Sequence, residues 1–262
     1  MFRGTIAPTT AWLCALAVHA TAAQTGQARF TTSLTASAGV TFAQHTDQSA
    51  SPLLFAGSGF AERLDYERAG RRWTTTLGIS SLIRDDVSRA TAAAPVRERS
   101  IQGGLAWTAV RPLIDRARAT LAAGLTLDAR GTLLAHHYDD PAATVSWFAS
   151  AFATVGPAVR WRWMVPGGTA ILRASAPLVG VAHRPYSDVR IEQAAPALRL
   201  VTVSDLRAFD ASAAVETAPA RPIGLRAEVN VGTFRYSDVQ SMRAASAGFS
   251  LGVVARFGAP RP

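Results

Sequence analysis

Ile223-Gly224-Leu225-Arg226-Ala227-Glu228-Val229-Asn230-Val231-Gly232 alternates without a break. Ile, Leu, Ala and Val hold the odd positions, while Arg226, Glu228 and Asn230 share the even ones. A helix of about 3.6 residues per turn would scatter these residues around its circumference, whereas a strand sorts them onto two faces. The same period governs Phe30-Thr31-Thr32-Ser33-Leu34-Thr35-Ala36-Ser37-Ala38-Gly39-Val40-Thr41-Phe42, where the even positions are apolar except Thr32. Trp73, Leu77, Ile79 and Ile83 repeat it, as do Leu121, Leu125 and Leu127.

Length separates a soluble sandwich from a membrane barrel. Soluble strands usually run about five or six residues. These alternating runs reach about 13 to 20 residues, enough for a tilted strand to cross a bilayer of about 30 Å. The sequence predicts strands near 28–45, 53–68, 72–86, 99–112, 116–135, 143–164, 168–184, 204–218, 222–236 and 243–257. Alternate links are tight, at Ala69-Gly70-Arg71, Leu113-Ile114-Asp115, Pro166-Gly167 and Ala218-Pro219-Ala220-Arg221. The intervening links include longer and more polar ones, at 87–98 and 185–203. Short turns at one end and longer loops at the other are the periplasmic and extracellular ends of an antiparallel up-and-down transmembrane β-barrel. The expected fold is therefore all-β, with about ten strands, and eight or twelve remain open. Aromatic residues sort to the two ends: Phe30, Tyr66, Trp73, Trp161, Trp163 and Phe257 to the turn end, and Trp147 and Tyr236 to the loop end, as interfacial girdles require.

The first residues read as an export signal. Met1-Phe2-Arg3 is a short basic start, an apolar core surrounds Trp12–Val18, and Ala20-Thr21-Ala22 is a small-residue cleavage site. This divides the chain into a signal peptide at 1–23 and a barrel at 24–262. Leu13 before Cys14 is not the small residue that a lipoprotein signal needs. Cys14 is the single cysteine, so the mature chain has no means for disulfides, thiol catalysis or cysteine-bound metal. All 27 basic residues are Arg and they are scattered, so the net charge of +9 forms no dense basic face for nucleic acid. Gly57-Ser58-Gly59 and Gly103-Gly104 lie inside strand patterns with no helix after them, so they are not phosphate loops. No cofactor is implied.

The C-terminal Ser250-Leu251-Gly252-Val253-Val254-Ala255-Arg256-Phe257 resembles the last-strand signal read by the outer-membrane assembly machinery. That signal sets a polar residue at Ser250, Gly two later at Gly252 and a closing aromatic at Phe257. The match departs at Ala255 and in the five residues after Phe257. With the export signal and the strand pattern, the chain resembles the Gram-negative outer-membrane β-barrel superfamily and no functional subfamily of it. The resemblance implies residence in outer-membrane lipid and insertion by the barrel assembly machinery, and it leaves the oligomeric state open.

With apolar residues toward lipid, the lumen is expected to hold Arg118, Asp128, Arg160, Arg162, Arg173, Asp210, Glu216, Arg226, Glu228 and Arg256. Such charges fill a narrow barrel as a mixed network, because an unpaired buried charge costs several kcal/mol. Arg outnumbers acid in this set, so a water path through it would favour anions. His136-His137-Tyr138-Asp139-Asp140, Asp85-Asp86 and His183 fall at strand ends, but with no regular metal-ligand spacing, so no metal site is assigned. Adjacent strand residues point opposite ways, so His136 and His137 cannot both serve one site while the strand continues. The strand count and the placing of Asp85-Asp86 and His137–Asp139 resemble omptins, ten-stranded outer-membrane proteases. The aspartates are adjacent here, however, and the omptin Asp-x-His is missing. No His-x-Ser provides the couple that outer-membrane lipid hydrolases use, and His183 and Ser187 would meet only through loop folding. The leading expectation is a non-enzymatic barrel, either structural or a narrow porin-like channel. An omptin-like protease or lipid hydrolase with its site in the outer loops is the alternative.

Overall fold

The computed structural model describes residues 31–258 except 49, 71, 89–95, 117, 138–145, 185–197, 218–220 and 238–239. The signal-peptide reading of 1–23, Phe30, and the loop residues Tyr138, Asp139 and Ser187 lie outside the described residues.

Every described element is a strand: β1 (Thr31–Asp47), β2 (Ser51–Ala69), β3 (Thr74–Ser88), β4 (Arg97–Arg116), β5 (Ala119–His137), β6 (Ser146–Val165), β7 (Gly168–Ser175), β8 (Val179–His183), β9 (Leu198–Thr202), β10 (Leu206–Thr217), β11 (Ile223–Tyr236) and β12 (Met242–Phe257). Strands β1 to β7 pair in succession, β7 pairs with β10, β10 with β11, β11 with β12, and β12 closes onto β1. All these ladders are antiparallel, so the molecule is a closed barrel of ten strands with β8 and β9 as extra pieces. Closure of β12 onto β1 pairs the strands that would otherwise be the edges of the ten-strand sheet.

The two extra pieces correct the expected boundaries. The run read as one strand at 168–184 is β7 and β8, interrupted at 176–178 where Pro177 cannot donate to a ladder. Backbone bonds from Ala176 to Pro157 and from Leu178 to Val155 keep the chain on β6 through the gap. Beside it, part of the region read as the loop 185–203 is strand β9. The partners Ser175↔Asp210 and Val179↔Thr202 show an offset: the step from 175 to 179 faces the longer step from 202 to 210. The surplus forms the turn at 203–205, where the Asp205 amide donates to the Thr202 carbonyl at 3.0 Å.

Side-chain parity is continuous around the ring. Val40, Phe42, Phe60, Ile79, Ile83, Leu105, Leu125, Leu225, Val229, Val231, Phe249 and Leu251 stand outward and exposed. An apolar surface this extensive is matched to hydrocarbon, not water. Trp73, Tyr66 and Trp161 face outward near the turn end and Trp147 near the loop end. Tyr236 corrects the girdle reading. It shares the even parity of Arg226 and Glu228, points inward, and is 2% exposed against Phe152, Ala182, Val201, Leu206 and Met242. Its position along the barrel axis suited a girdle; its parity did not.

Candidate functional site

The interior is polar in three tiers. At the turn end, Arg160 of β6 donates to Glu67 of β2 at 3.0 Å. Arg173 of β7 lies 3.5 Å from Asp65 and 3.6 Å from Glu67. Strands β2 and β7 stand opposite each other in the ten-strand ring, so these pairs cross the full bore. Beside them Arg226 bonds Glu216 at 3.1 Å and also Glu228, and Arg256 bonds Glu216 at 3.1 Å. At mid-height Arg130 of β5 pairs with Asp128 and reaches Asp210 of β10. A cavity of about 370 Å³ surrounds this tier, and a second of about 190 Å³ lies toward the turn end. Arg160 and Arg173 line both cavities and therefore partition them.

The third tier, at the loop end, is built on a glycine floor. Asp86, Glu98 and His136 are direct register neighbours on β3, β4 and β5, all inward. His45 comes from β1, on the far side of β2. Between them β2 presents Gly57 and Gly59, whose missing side chains admit the others. A Cβ on Gly57 would stand 2.3 Å from Asp86 Oδ1, and one on Gly59 would stand 2.2 Å from Arg84 Cγ. Arg84 and Asp86 therefore lean across β2 toward His45. This close approach is the reason for glycine in the Gly57-Ser58-Gly59 stretch.

The side chains of the tier interlock. Glu98 holds His136 Nε2 at 2.6 Å with one oxygen, and its other oxygen stands 2.8 Å from His45 Nε2. Arg84 contacts Asp86 at 2.8 Å, donates to His45 Nδ1 at 3.2 Å, and donates from Nε to Ser100 Oγ at 3.3 Å. Phe55 of β2 stacks on both imidazoles, with centroids 5.7 Å from His45 and 5.2 Å from His136. Arg184 pairs with Asp47 and lies over the Tyr236 ring. The side chains of Asp86 and His136 are 0% exposed, Glu98 is 1% and His45 is 4%.

Among the residues expected in the lumen, Asp128, Arg160, Arg173, Asp210 and Glu228 line the larger cavity. Arg162, Glu216 and Arg256 line the smaller one, and Arg226 is buried on Glu216 and Glu228. Arg118 is placed differently: it is exposed in the link between β4 and β5. Ser250 lines the larger cavity, Gly252 shares its inward parity, and Phe257 falls on the outward parity of Leu251 and Val253. Reasoning from sequence missed the acids Asp65 and Glu67. The alternation of Phe60, Leu64 and Tyr66 against Arg63, Asp65 and Glu67 is the signal that places them. His45, Arg84 and Glu98 were missed too, and strand-end parity is their signal. Asp85 and Asp86 separate, with Asp85 outward on Arg99 at 2.8 Å. His136 and His137 also point opposite ways, because β5 continues through both, and His137 and His183 are exposed.

No protein-family model matches the chain, and no curated protein matches it. Solved structures do match. The outer membrane protease OmpT from Escherichia coli aligns with a TM-score of 0.52 at 6% identity, over 88% of this chain and 98% of that one. The fold is that of an outer-membrane-type β-barrel. Ail, the attachment invasion locus protein of Yersinia pestis, aligns with a TM-score of 0.36 at 9% identity, over 86% of the barrel chain and 98% of its own. Neisserial surface protein A aligns with a TM-score of 0.32 at 12% identity, over 88% and 99%. At 6% identity the likeness to OmpT concerns the fold alone. The barrel's inner chemistry has to be read from its own residues.

Proposed function

We propose that this protein is a non-enzymatic barrel of the outer membrane whose lumen is closed, a structural scaffold for its loops and not a solute channel. The observation that carries the reading is the ion-pair partition at the turn end. Arg173 spans the bore to Asp65 and Glu67, and Arg160 joins Glu67 beside it. Opening a path there means separating charges that are largely buried. Removing one partner of such a pair costs about 3–5 kcal/mol. The two acids on β2 also offset Arg160 and Arg173, which would otherwise favour anions, with Asp65 shared between Arg173 and Arg63 of its own strand.

Residence in the outer membrane is supported by the outward apolar surface and the fold. Export through a signal peptide cut after about residue 23 belongs to this reading. So does recognition of Ser250, Gly252 and Phe257 by the barrel assembly machinery.

Planar-bilayer recording tests the proposal. Folded wild-type protein should give no steady conductance, and the double variant Glu67→Ser/Arg173→Ser should give resolved openings. A steady wild-type conductance would refute closure and favour the narrow-channel reading.

A further inference from the structure

The loop-end tier contains more ligating chemistry than a structural plug needs. His45, Asp86 and Glu98 each offer a ligand atom, and these atoms lie within 4.8 Å of one another. All three residues are buried, and each comes from a different strand. Several of the polar atoms involved make no aligned hydrogen bond: His45 Nε2, Asp86 Oδ1 and Glu98 Oε1, while Asp86 Oδ2 has only its ion pair with Arg84 at 2.8 Å. His45 Nε2 and Glu98 Oε1 stand 2.8 Å apart without the alignment of a hydrogen bond. Buried polar atoms of native proteins are nearly always satisfied, so orphans converging on one point call for a missing partner. Two carboxylates against the single guanidinium of Arg84 leave the tier one negative charge in excess when both imidazoles are neutral, which is the sign a cation corrects.

We propose that His45, Asp86 and Glu98 bind a divalent transition-metal ion, with zinc the best match to one imidazole and two carboxylates. With bonds of about 2.0–2.2 Å in tetrahedral geometry, neighbouring ligand atoms stand roughly 3.3 Å apart. His45 Nε2 and Glu98 Oε1 therefore need to part by only about half an ångström around the ion. The ring proton then sits on Nδ1, which faces Asp86 Oδ2 at 3.7 Å, and Arg84 gives up its bond to Nδ1 while keeping those to Asp86 and Ser100. A water molecule completes the coordination. His136 is not a ligand. It holds the second oxygen of Glu98 at 2.6 Å and so orients that carboxylate, the part that outer-shell partners play in metal sites. Phe55, stacked on both imidazoles, fixes the ring planes. The site serves the plug: it ties β1, β3 and β4 together across β2.

Cobalt(II) and zinc(II) binding to the untagged full chain, folded in detergent with and without the metal, provide the test. The expected result is one equivalent of cobalt with the strong visible bands of a four-coordinate site, displaced by zinc, and a higher unfolding temperature for the loaded barrel. Asp86→Asn and Glu98→Gln should each weaken binding at least tenfold. His136→Gln should weaken it by about 10- to 100-fold as an orienting residue. The exposed His137→Gln should leave it unchanged. Gel mobility with and without heating verifies that each variant has folded. Where Glu98→Gln does not fold, Asp86→Asn and His45→Gln decide. Wild-type barrel that folds but takes up no metal by either route would overturn the proposal. So would binding that survives Asp86→Asn and His45→Gln, or that disappears with His137→Gln.

Discussion

Replacing Gly57 by Ala tests the packing logic of the loop end with one methyl group. Built on the existing backbone, its Cβ lies 2.3 Å from Asp86 Oδ1, 2.5 Å from the Asp85 carbonyl oxygen and 2.9 Å from Asp86 Cα. Relief requires movements of about 1 Å, to reach ordinary contact distances near 3.5 Å. Turning Asp86 aside breaks its contact with Arg84, and moving the Asp85 carbonyl disturbs the β2–β3 ladder. Overpacking of this kind costs about 1–3 kcal/mol. Against it stands a gain of about 0.4–1 kcal/mol from the lower entropy of the unfolded chain. The net expectation is a loss of about 1–2 kcal/mol. Gly103 is the control, since a Cβ there meets nothing within 4 Å. Gly103→Ala should be neutral or stabilise by up to about 1 kcal/mol. Denaturant titration of both variants in the same bilayer or detergent measures the difference. Equal stabilities, or a less stable Gly103→Ala, would refute the glycine-floor argument.

Three further outcomes are expected. Arg in place of the outward Val229 should cost about 2–4 kcal/mol in a bilayer folding titration, while Asn230→Ser, facing the central cavity, should cost much less. The opposite ranking would mean a register wrong by one residue. Phe55→Ala removes a ring that is 1% exposed and stacked between two imidazoles, and should lower stability by about 3–5 kcal/mol in the same titration. Mass spectrometry of the membrane-extracted protein should find an N-terminus near Ala23 or Gln24, and intact Met1 in that fraction would reject cleavage of the signal.

Period-two alternation was sufficient to read the barrel, because the bilayer demands the same outward chemistry along each strand and one strand's pattern reveals it. The facing of Leu225 against Arg226 needed no knowledge of neighbouring strands. The loop-end tier did. His45 sits between Gln44 and Thr46 with nothing local to mark it, and it acquires meaning only when register brings β1 within reach of β3 and β4. Glu98 fell just outside the expected fourth strand, so it counted as loop, yet it is the residue that bonds His136 and stands against His45. The interruption of the seventh run was equally hidden. Pro177 hints at it, but the four-residue step facing an eight-residue one is a property of paired strands and not of either sequence alone.

That offset also makes the barrel unequal around its circumference. On the β1–β5 side each hydrogen-bonded ladder runs nearly the full height, with single irregularities at Thr46/Asp47 and Pro112/Ile114. On the other side β6 changes partner from β7 to β8, and Leu206–Phe209 of β10 pair only with β11. Cooperative opening begins where neighbouring rungs reinforce one another least. The wall holding 176–178 and 203–205 is therefore the seam at which the cylinder yields first under heat or lateral strain. The opposite wall, carrying His45, Asp86 and Glu98, would be the last part to part.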